Sequence, residues 1–216
     1  MPTRRHILLL SASVALMATG TAVGLLTARY YRPQPHGAAI EGLLWPNPKQ
    51  IGAFEALDES GAPFRADQLR GKWSMLFFGY THCPDVCPIT LAVLHQVRRT
   101  LVQDNEPAPQ VLFVTVDPER DPPQRLREYV TWFDKAFKGV GGSAAQVQSL
   151  SAQFGIAAIP DRADEKGDYT VEHSASVFLT DPGARLVGVI SAPTDAARVI
   201  ARYRQIRAFI ESRTAG

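Results

Sequence analysis

The chain has 216 residues, 45% of them hydrophobic and 20% charged, a composition that supports a buried core and excludes a disordered or collagen-like polypeptide. The length suits one domain with an appendage and argues against a multidomain protein. The formal net charge is +2, and the basic residues form no continuous stripe. The sequence therefore gives no electrostatic reason to expect nucleic-acid binding.

The first feature along the chain is an uncharged segment at residues 7–28, ILLLSASVALMATGTAVGLLTA, with arginine on both sides. As a helix it would reach about 33 Å, enough for a hydrocarbon core of roughly 30 Å, so residues 1–29 are predicted to form a membrane anchor. A secretory signal is the alternative, although its apolar region is normally about 7–15 residues long. Thr3, Arg4 and Arg5 also partly resemble a twin-arginine export signal.

The charges around this segment favour an N-terminus in the cytoplasm, so the domain is expected on the outer side of the inner membrane, facing the periplasm. Residues 30–50 contain four prolines and no sustained hydrophobic period, which predicts a spacer. Residues 51–216 then form the folded domain.

Apolar runs and amphipathic stretches alternate within that domain. Strands are predicted at residues 51–57, 73–80, 110–116, 174–179 and 186–190. Helices are predicted at residues 88–102 and 122–137, from a capping box at Ser143 to Gly155, and from Thr194 or Asp195 onward. Asp181, Pro182 and Gly183 predict the turn of an antiparallel hairpin. This order indicates an α/β thioredoxin-like fold, a central mixed sheet flanked by helices.

The only two cysteines, Cys83 and Cys87, stand where the strand at 73–80 gives way to a helix. Residues i and i+4 of a helix share a face, so the two sulfurs can converge on one point. The separation also permits a disulfide bond, and a helix N-terminus is expected to lower the pKa of a thiol. A structural disulfide, a redox couple and a metal site all remain open.

The five histidines bear on that choice. Three are expected to be solvated or to pack elsewhere: His6, His36 and His95. His82 adjoins Cys83 but should project to a different side, which makes it a helper at most. His173 stands at the entry of the predicted strand at 174–179, where a loop at the sheet edge can bring its imidazole toward the cysteines, although composition alone does not select it.

The run GKWSMLFFGYTHCPDVCPITL at residues 71–91 resembles the signature of the Sco/SenC family of copper-binding assembly proteins, in which F-G-Y-T-H precedes a C-P-x-x-C-P core. Three further stretches follow in family order: 114–121 (VTVDPERD), 173–179 (HSASVFL) and 181–185 (DPGAR). The resemblance covers residues 51–212. It implies a membrane anchor and a thioredoxin-like domain.

The resemblance also implies that one copper ion, Cu(I) or Cu(II), is held by Cys83, Cys87 and His173. Soft thiolates suit Cu(I) and imidazole accommodates both oxidation states, whereas a closed zinc site usually needs four ligands. Asp117 or Asp121 is expected to orient His173 through a hydrogen bond. The alternative for these acids is the capped start of the following helix.

A family member of this kind is expected to deliver copper to the CuA site of a cytochrome c oxidase subunit, or to reduce the cysteines of that site. Other copper chaperones or thioredoxin-like reductases are expected as further partners. The alternative function is a thiol-disulfide oxidoreductase that forms a disulfide between Cys83 and Cys87. The C-x-x-x-C spacing and the absence of a proline directly before Ser174 argue against it. A purely structural disulfide is the least favoured interpretation.

Overall fold

The computed structural model describes residues 40–44, 47–156, 159–160, 171–172, 175–191 and 195–214. These residues form ten strands and four α-helices. The strands are β1 (Lys49–Gln50), β2 (Glu55–Asp58), β3 (Pro63–Arg65), β4 (Ser74–Gly79), β5 (Gln110–Thr115), β6 (Lys138–Gly141), β7 (Ile159–Pro160), β8 (Val171–Glu172), β9 (Val177–Thr180) and β10 (Arg185–Ile190). The helices are α1 (Val86–Gln103), α2 (Pro123–Phe133), α3 (Ala144–Gln153) and α4 (Ala196–Thr214), with a 3-10 helix at Ala66–Leu69.

Eight strands form one mixed sheet in the order β1-β10-β9-β4-β5-β6-β2-β3. β4, β5 and β6 run parallel to one another, and the other neighbours pair antiparallel. β7 and β8 form a separate two-stranded antiparallel ladder. The predicted α/β architecture, a mixed sheet with flanking helices, is therefore confirmed.

β4 and β5 lie at the centre of the sheet because their side chains are apolar on both faces. All six residues of β4, SMLFFG, are buried. Successive side chains of a strand point to opposite faces, so Met75 and Phe77 enter one core and Leu76 and Phe78 enter the other. A continuous apolar run is typical of a strand that is covered on both sides.

Three helices cover the face of the sheet that carries Phe77. Their buried residues recur at steps of three and four, which places them on one side of each helix. They are Leu91, Leu94 and Val97 of α1, Leu126 and Val130 of α2, and Val199, Tyr203 and Ile206 of α4. On the opposite face α3 contributes Leu150. Just after α3, the ring centroid of Phe154 lies 5.2 Å from that of Phe78.

Two local predictions are confirmed in atomic detail. Ser143 Oγ accepts a hydrogen bond from the backbone N–H of Gln146, whose side-chain oxygen accepts one from the Ser143 N–H, so a capping box opens α3. β9 and β10 form the predicted hairpin. In its turn, Asp181 Oδ1 accepts hydrogen bonds from the N–H groups of Gly183 and Arg185.

The predicted helix at residues 122–137 is too long by one turn. α2 ends at Phe133, because Asp134 adopts an extended conformation and its Oδ1 accepts a hydrogen bond from the N–H of Ala136. The chain then enters β6, which the sequence analysis missed. β6 reads KGVG, and a strand of four residues with two glycines has too little hydrophobic pattern to be recognised.

The second half of the predicted spacer, residues 30–50, packs against the domain. Leu43 forms an antiparallel bridge with Gly188, and β1 pairs with β10. The side chains of Ile40 and Leu43 are partly buried and pack against the core that contains Phe77. The predicted transmembrane segment at residues 7–28 lies outside the described residues, and none of the described helices is long and apolar enough to cross a membrane.

A hydrogen bond from Tyr203 links α4 to the loop that precedes β5. Its hydroxyl donates a hydrogen bond to the carbonyl oxygen of Pro107 at 2.7 Å, and its ring meets Trp73 edge-on with centroids 5.8 Å apart. The Tyr203 side chain is fully buried, and its hydrogen bond to Pro107 is partly buried.

Replacing Tyr203 with Phe should lower the free energy of unfolding by about 1 kcal/mol, because the hydrogen bond between its hydroxyl and the Pro107 carbonyl is lost. Urea denaturation measures this change. Trp132→Phe is the control, since Trp132 is 85% exposed and its replacement should stay within about 0.5 kcal/mol of wild type. Equal stability of wild type and Tyr203→Phe would contradict the assigned hydrogen bond.

Candidate metal centre

The two cysteines lie where β4 ends and α1 begins. The Cys83 N–H donates a hydrogen bond to the Tyr80 carbonyl at 3.2 Å, which closes a turn before α1 starts at Val86. Cys83 is half-buried, whereas Cys87 lies in the first turn of α1 and is fully buried. The predicted strand-to-helix position is confirmed. Only Cys87 belongs to the helix, however, so the pair does not share a helix face.

The thiols of Cys83 and Cys87 are hydrogen-bonded to each other and carry no disulfide bond. Burial raises the pKa of the Cys87 thiol well above its usual range, and the proximity of Cys83 adds to the rise. The expectation that the helix N-terminus lowers a thiol pKa is therefore wrong for Cys87, because loss of hydration outweighs the helix dipole. A metal that binds Cys87 at neutral pH has to displace its proton.

Gly79, the last residue of β4, makes room for the Cys87 sulfur. A Cβ atom at Gly79 would lie 2.7 Å from Cys87 Sγ and 2.8 Å from Cε2 of Phe113. These distances are shorter than van der Waals contact, so no residue with a side chain fits there without displacing its neighbours. Gly79 is not among the site residues predicted from the sequence. A glycine that ends a run of bulky strand residues was the available signal.

Asp121 fixes the loop that leads from β4 to Cys83. Its carboxylate is fully buried and accepts hydrogen bonds from the Thr81 N–H at 2.9 Å, the Thr81 hydroxyl at 2.6 Å and the Thr115 hydroxyl at 2.7 Å. The alternative of a capped helix is wrong for Asp121, because Pro122 occupies the N-cap of α2 and no side chain caps it. These three hydrogen bonds replace the hydrogen bonds to water that the carboxylate loses on burial.

Tyr80 connects two distant segments of the chain. Its side chain is buried and hydrogen-bonded to the backbone of Val171 in β8. The Arg120 guanidinium lies 5.8 Å from the Tyr80 ring centroid, and its Nε donates a hydrogen bond to Asp117 Oδ2 at 2.5 Å. Val171 stands two residues before His173 in the sequence. The Tyr80 contact therefore holds β8 beside the loop that carries Cys83.

His173 lies outside the described residues. Among the residues that are described, no group of three His, Cys, Asp or Glu side chains is arranged to hold a metal ion. Of the three expected copper ligands, the structure therefore describes Cys83 and Cys87. The orientation of His173 by Asp117 or Asp121 stays a prediction.

Two histidines, His82 and His95, lie among the described residues. His82 Nδ1 lies 3.2 Å from the Thr81 hydroxyl oxygen and 3.7 Å from Asp121 Oδ1, with 43% of its side chain exposed. His95 Nδ1 lies 3.2 Å from a carboxylate oxygen of Asp134 at the surface of α1. His95 is thus partly exposed and packs against Asp134, which agrees with the expectation that it is solvated or packs elsewhere.

Fold and site together define an α/β domain that presents a dithiol at the carboxyl ends of parallel strands. The family model described as SCO1/SenC matches residues 46–208 of this chain. The protein therefore belongs to the SCO1/SenC family.

Individual relatives agree with this assignment. A protein of Stutzerimonas stutzeri that is named for copper binding is 37% identical over 151 residues, which cover 70% of this chain and 74% of that protein. The mouse mitochondrial SCO2 homolog is 36% identical over 71% of this chain, and the match covers 61% of its own length. The crystal structure of yeast Sco1 with copper bound is 30% identical, with a TM-score of 0.68, over 73% of this chain and 88% of that one.

Replacing Gly79 with Ala should lower the free energy of unfolding by about 1–3 kcal/mol, because the new methyl group overlaps the Cys87 sulfur and the Phe113 ring. Gly52→Ala is the control, since a Cβ there meets only the Gln153 side-chain oxygen at 3.5 Å. Urea denaturation of both variants tests the prediction. Unchanged stability of Gly79→Ala would show that the sulfur and the ring do not press on Gly79.

Replacing Asp121 with Asn should lower the free energy of unfolding by about 1.5–3 kcal/mol, because one acceptor oxygen is exchanged for a donor amide that faces the threonines. Hydrogen exchange of the Thr81 amide should accelerate as well. Asp67→Asn is the control, because Asp67 makes only an exposed ion pair with Arg70. An unchanged exchange rate at Thr81 would contradict the role of Asp121 in holding the loop.

Proposed function

We propose that this protein is a membrane-anchored copper chaperone that binds one copper ion per chain through Cys83, Cys87 and His173. The observation that carries the proposal is the pair of hydrogen-bonded thiols at the junction of β4 and α1, in a chain of the SCO1/SenC family. A copper-bound structure of yeast Sco1, 30% identical to this chain, adds support.

The donor set suits copper. Two adjacent sulfurs favour the soft Cu(I) ion, and an imidazole ligand accommodates both Cu(I) and Cu(II). The third ligand would be His173, which follows β8 in the sequence, and Tyr80 supports this by its hydrogen bond with Val171 of β8. A closed structural zinc site usually has four protein ligands, whereas this set provides three.

The unequal burial of the two cysteines suits transfer of the metal. Cys87 is enclosed by the core, whereas Cys83 is partly accessible to a partner protein. A recipient thiol can approach copper from the side of Cys83 while Cys87 still holds it. The recipient in this proposal is the cytochrome c oxidase subunit that carries the CuA site.

The same pair can also reduce the recipient. Two S–H bonds of Cys83 and Cys87 break, one S–S bond forms, and two electrons and two protons pass to a disulfide of the recipient, which becomes two thiols. Reduction would prepare the cysteines of the CuA site for copper. Another copper chaperone would supply the copper, and a thioredoxin-like reductase would restore the dithiol.

Residues 7–28 would hold the protein in the inner membrane, with the domain on the periplasmic side. The uncharged segment is long enough for this task, and arginines flank it. Residues 30–39 would then separate the membrane from the packed segment that begins at Ile40.

A thiol-disulfide oxidoreductase is the second candidate function, because the two thiols already contact each other. The burial of Cys87 and its raised pKa disfavour it as an attacking thiolate, so Cys83 would have to be the nucleophile. His173 separates the two functions, since dithiol exchange does not need it.

An anaerobic Cu(I) titration of the reduced full-length protein in detergent, against a competing chelator, tests the copper function. We expect one tightly bound copper per chain. Cys83→Ser and Cys87→Ser should each abolish stoichiometric binding, because a hydroxyl is a poor ligand for Cu(I). His173→Ala should weaken binding at least about tenfold, which corresponds to about 1.4 kcal/mol.

The matched control is His95→Ala, because His95 is paired with Asp134 on the surface of α1 and should not affect copper. Thermal stability of the metal-free His173→Ala protein should stay close to wild type. Copper binding no stronger than that of a simple dithiol, together with no effect of His173→Ala, would refute the chaperone and support the oxidoreductase.

A further inference from the structure

The outer side of α4 carries basic residues at helical spacing. Five residues recur at steps of three and four, which places them along one side of the helix. They are Arg198, Arg202, Gln205, Phe209 and Arg213, and together we call them the arginine flank. Each of them is exposed or only partly buried. The three arginines are separated in the sequence, so only the helix brings them onto one surface.

The flank differs from the other arginines of α4 in how its charge is compensated. Arg204 and Arg207 are ion-paired with Glu106 in the loop after α1. Arg198, by contrast, is exposed and makes no ion pair with any residue that the structure describes. Its positive charge is therefore available to a partner outside the chain.

The far end of the flank combines a cation with an aromatic ring. The Arg213 guanidinium lies 5.3 Å from the ring centroid of Phe209, which is partly buried. Basic side chains next to an aromatic one are typical of helices that lie at a membrane interface, where the ring contacts the boundary of the acyl chains and the cations contact the headgroups.

A recess of about 130 Å³ opens beside the flank, between α4 and the end of β10. Arg198, Arg202 and Ser191 line it, together with Glu41, which is ion-paired with Arg202. The recess therefore holds two guanidinium groups and one carboxylate, and its net charge is positive. Guanidinium groups present several N–H donors in a geometry that suits the oxygens of a phosphate group.

The chain enters the domain next to this recess. The Val189 N–H donates a hydrogen bond to the Gly42 carbonyl at 2.8 Å, and Glu41 contacts Arg202 on the flank. The predicted anchor ends at Arg29, so ten residues, 30–39, separate it from the described chain. Ten residues span at most about 36 Å. A membrane that holds the anchor is therefore within reach of the flank.

We propose that the arginine flank of α4 docks on anionic phospholipids of the membrane that holds the protein, with a lipid phosphate between Arg198 and Arg202. This inference rests on the membrane anchor of the proposed function. Each arginine near an anionic bilayer strengthens binding about fivefold. A few such contacts are weak for a free protein, but they suffice in an anchored chain because the second contact is then intramolecular.

Docking of this kind gives the domain a defined orientation. The formal net charge of the chain is only +2, so the attraction acts on the flank rather than on the whole surface. The loop that carries Cys83 follows β4, which lies two strands away from β10 in the sheet. Lipid contact at α4 would therefore leave the accessible sulfur uncovered.

The test uses the full-length ¹⁵N-labelled protein in nanodiscs that contain some lipid with a nitroxide on its headgroup. Proximity to the headgroups broadens amide signals. In an equal mixture of phosphatidylglycerol and phosphatidylcholine, the amides of Arg198, Arg202 and Gln205 should broaden more than those of α2, which packs on β6 toward the other edge of the sheet. The difference should vanish in phosphatidylcholine alone. High salt should also remove it, because the Debye length falls from about 10 Å at 0.1 M to about 3 Å at 1 M.

Variants assign the effect to the flank. Arg198→Glu should lower the equilibrium constant for docking at least about fivefold, whereas Arg198→Lys should retain docking. Arg99→Glu is the matched control, because Arg99 is exposed on α1 outside the flank and its replacement changes the net charge equally. The lipid and salt comparisons on the wild-type protein keep the proposal testable if a variant folds poorly.

The outcomes separate docking from copper binding. Equal broadening of α2 and α4 in both lipids would refute docking, and so would broadening that Arg198→Glu leaves unchanged or that Arg99→Glu reduces equally. An unchanged Cu(I) titration of Arg198→Glu would leave the copper function standing in each of these cases. If the chain does not enter the nanodisc, the anchor of the proposed function is refuted and this inference fails with it.

Discussion

The packing of the Cys87 sulfur against the backbone of Gly79 is the constraint around which the site is arranged. The sulfur and the Phe113 ring together occupy the space that a side chain at residue 79 would need. This contact places the start of α1 against the end of β4, and Cys87 is thereby buried away from water. The resulting rise in the pKa of Cys87 follows from the loss of hydration. Cys83 stays partly accessible because it lies in the loop before the helix.

A buried polar network gives this loop its rigidity. Asp121 joins Thr81, which follows β4, to Thr115, which ends β5, and three hydrogen bonds satisfy its carboxylate. Such a network holds one geometry because any other arrangement would leave a charge without partners in a region of low dielectric. Tyr80 extends the same principle to β8 through its contact with Val171. The loop that follows β4 and the strand β8, which are far apart in sequence, are thereby held beside each other.

The combination of one enclosed sulfur and one accessible sulfur suits a protein that must both hold a metal ion and release it. An enclosed ligand slows the escape of the metal to water, and an accessible ligand lets a recipient begin the exchange.

Local patterns in the sequence determined much of this protein by themselves. The apolar run of β4, the periodic faces of α1 and α4, the capping box at Ser143 and the hairpin turn at Asp181 each depend on neighbouring residues, so they were predictable. The C-P-x-x-C-P core likewise placed both cysteines at the strand-to-helix turn. Only the tertiary structure decided that Cys87 is buried, that Gly79 must lack a side chain, and that Asp121 bonds Thr81 and Thr115. Those contacts lie between different elements rather than within one, as between Thr81 and Asp121, and their energies depend on exclusion of water, which appears only when the sheet and helices pack together.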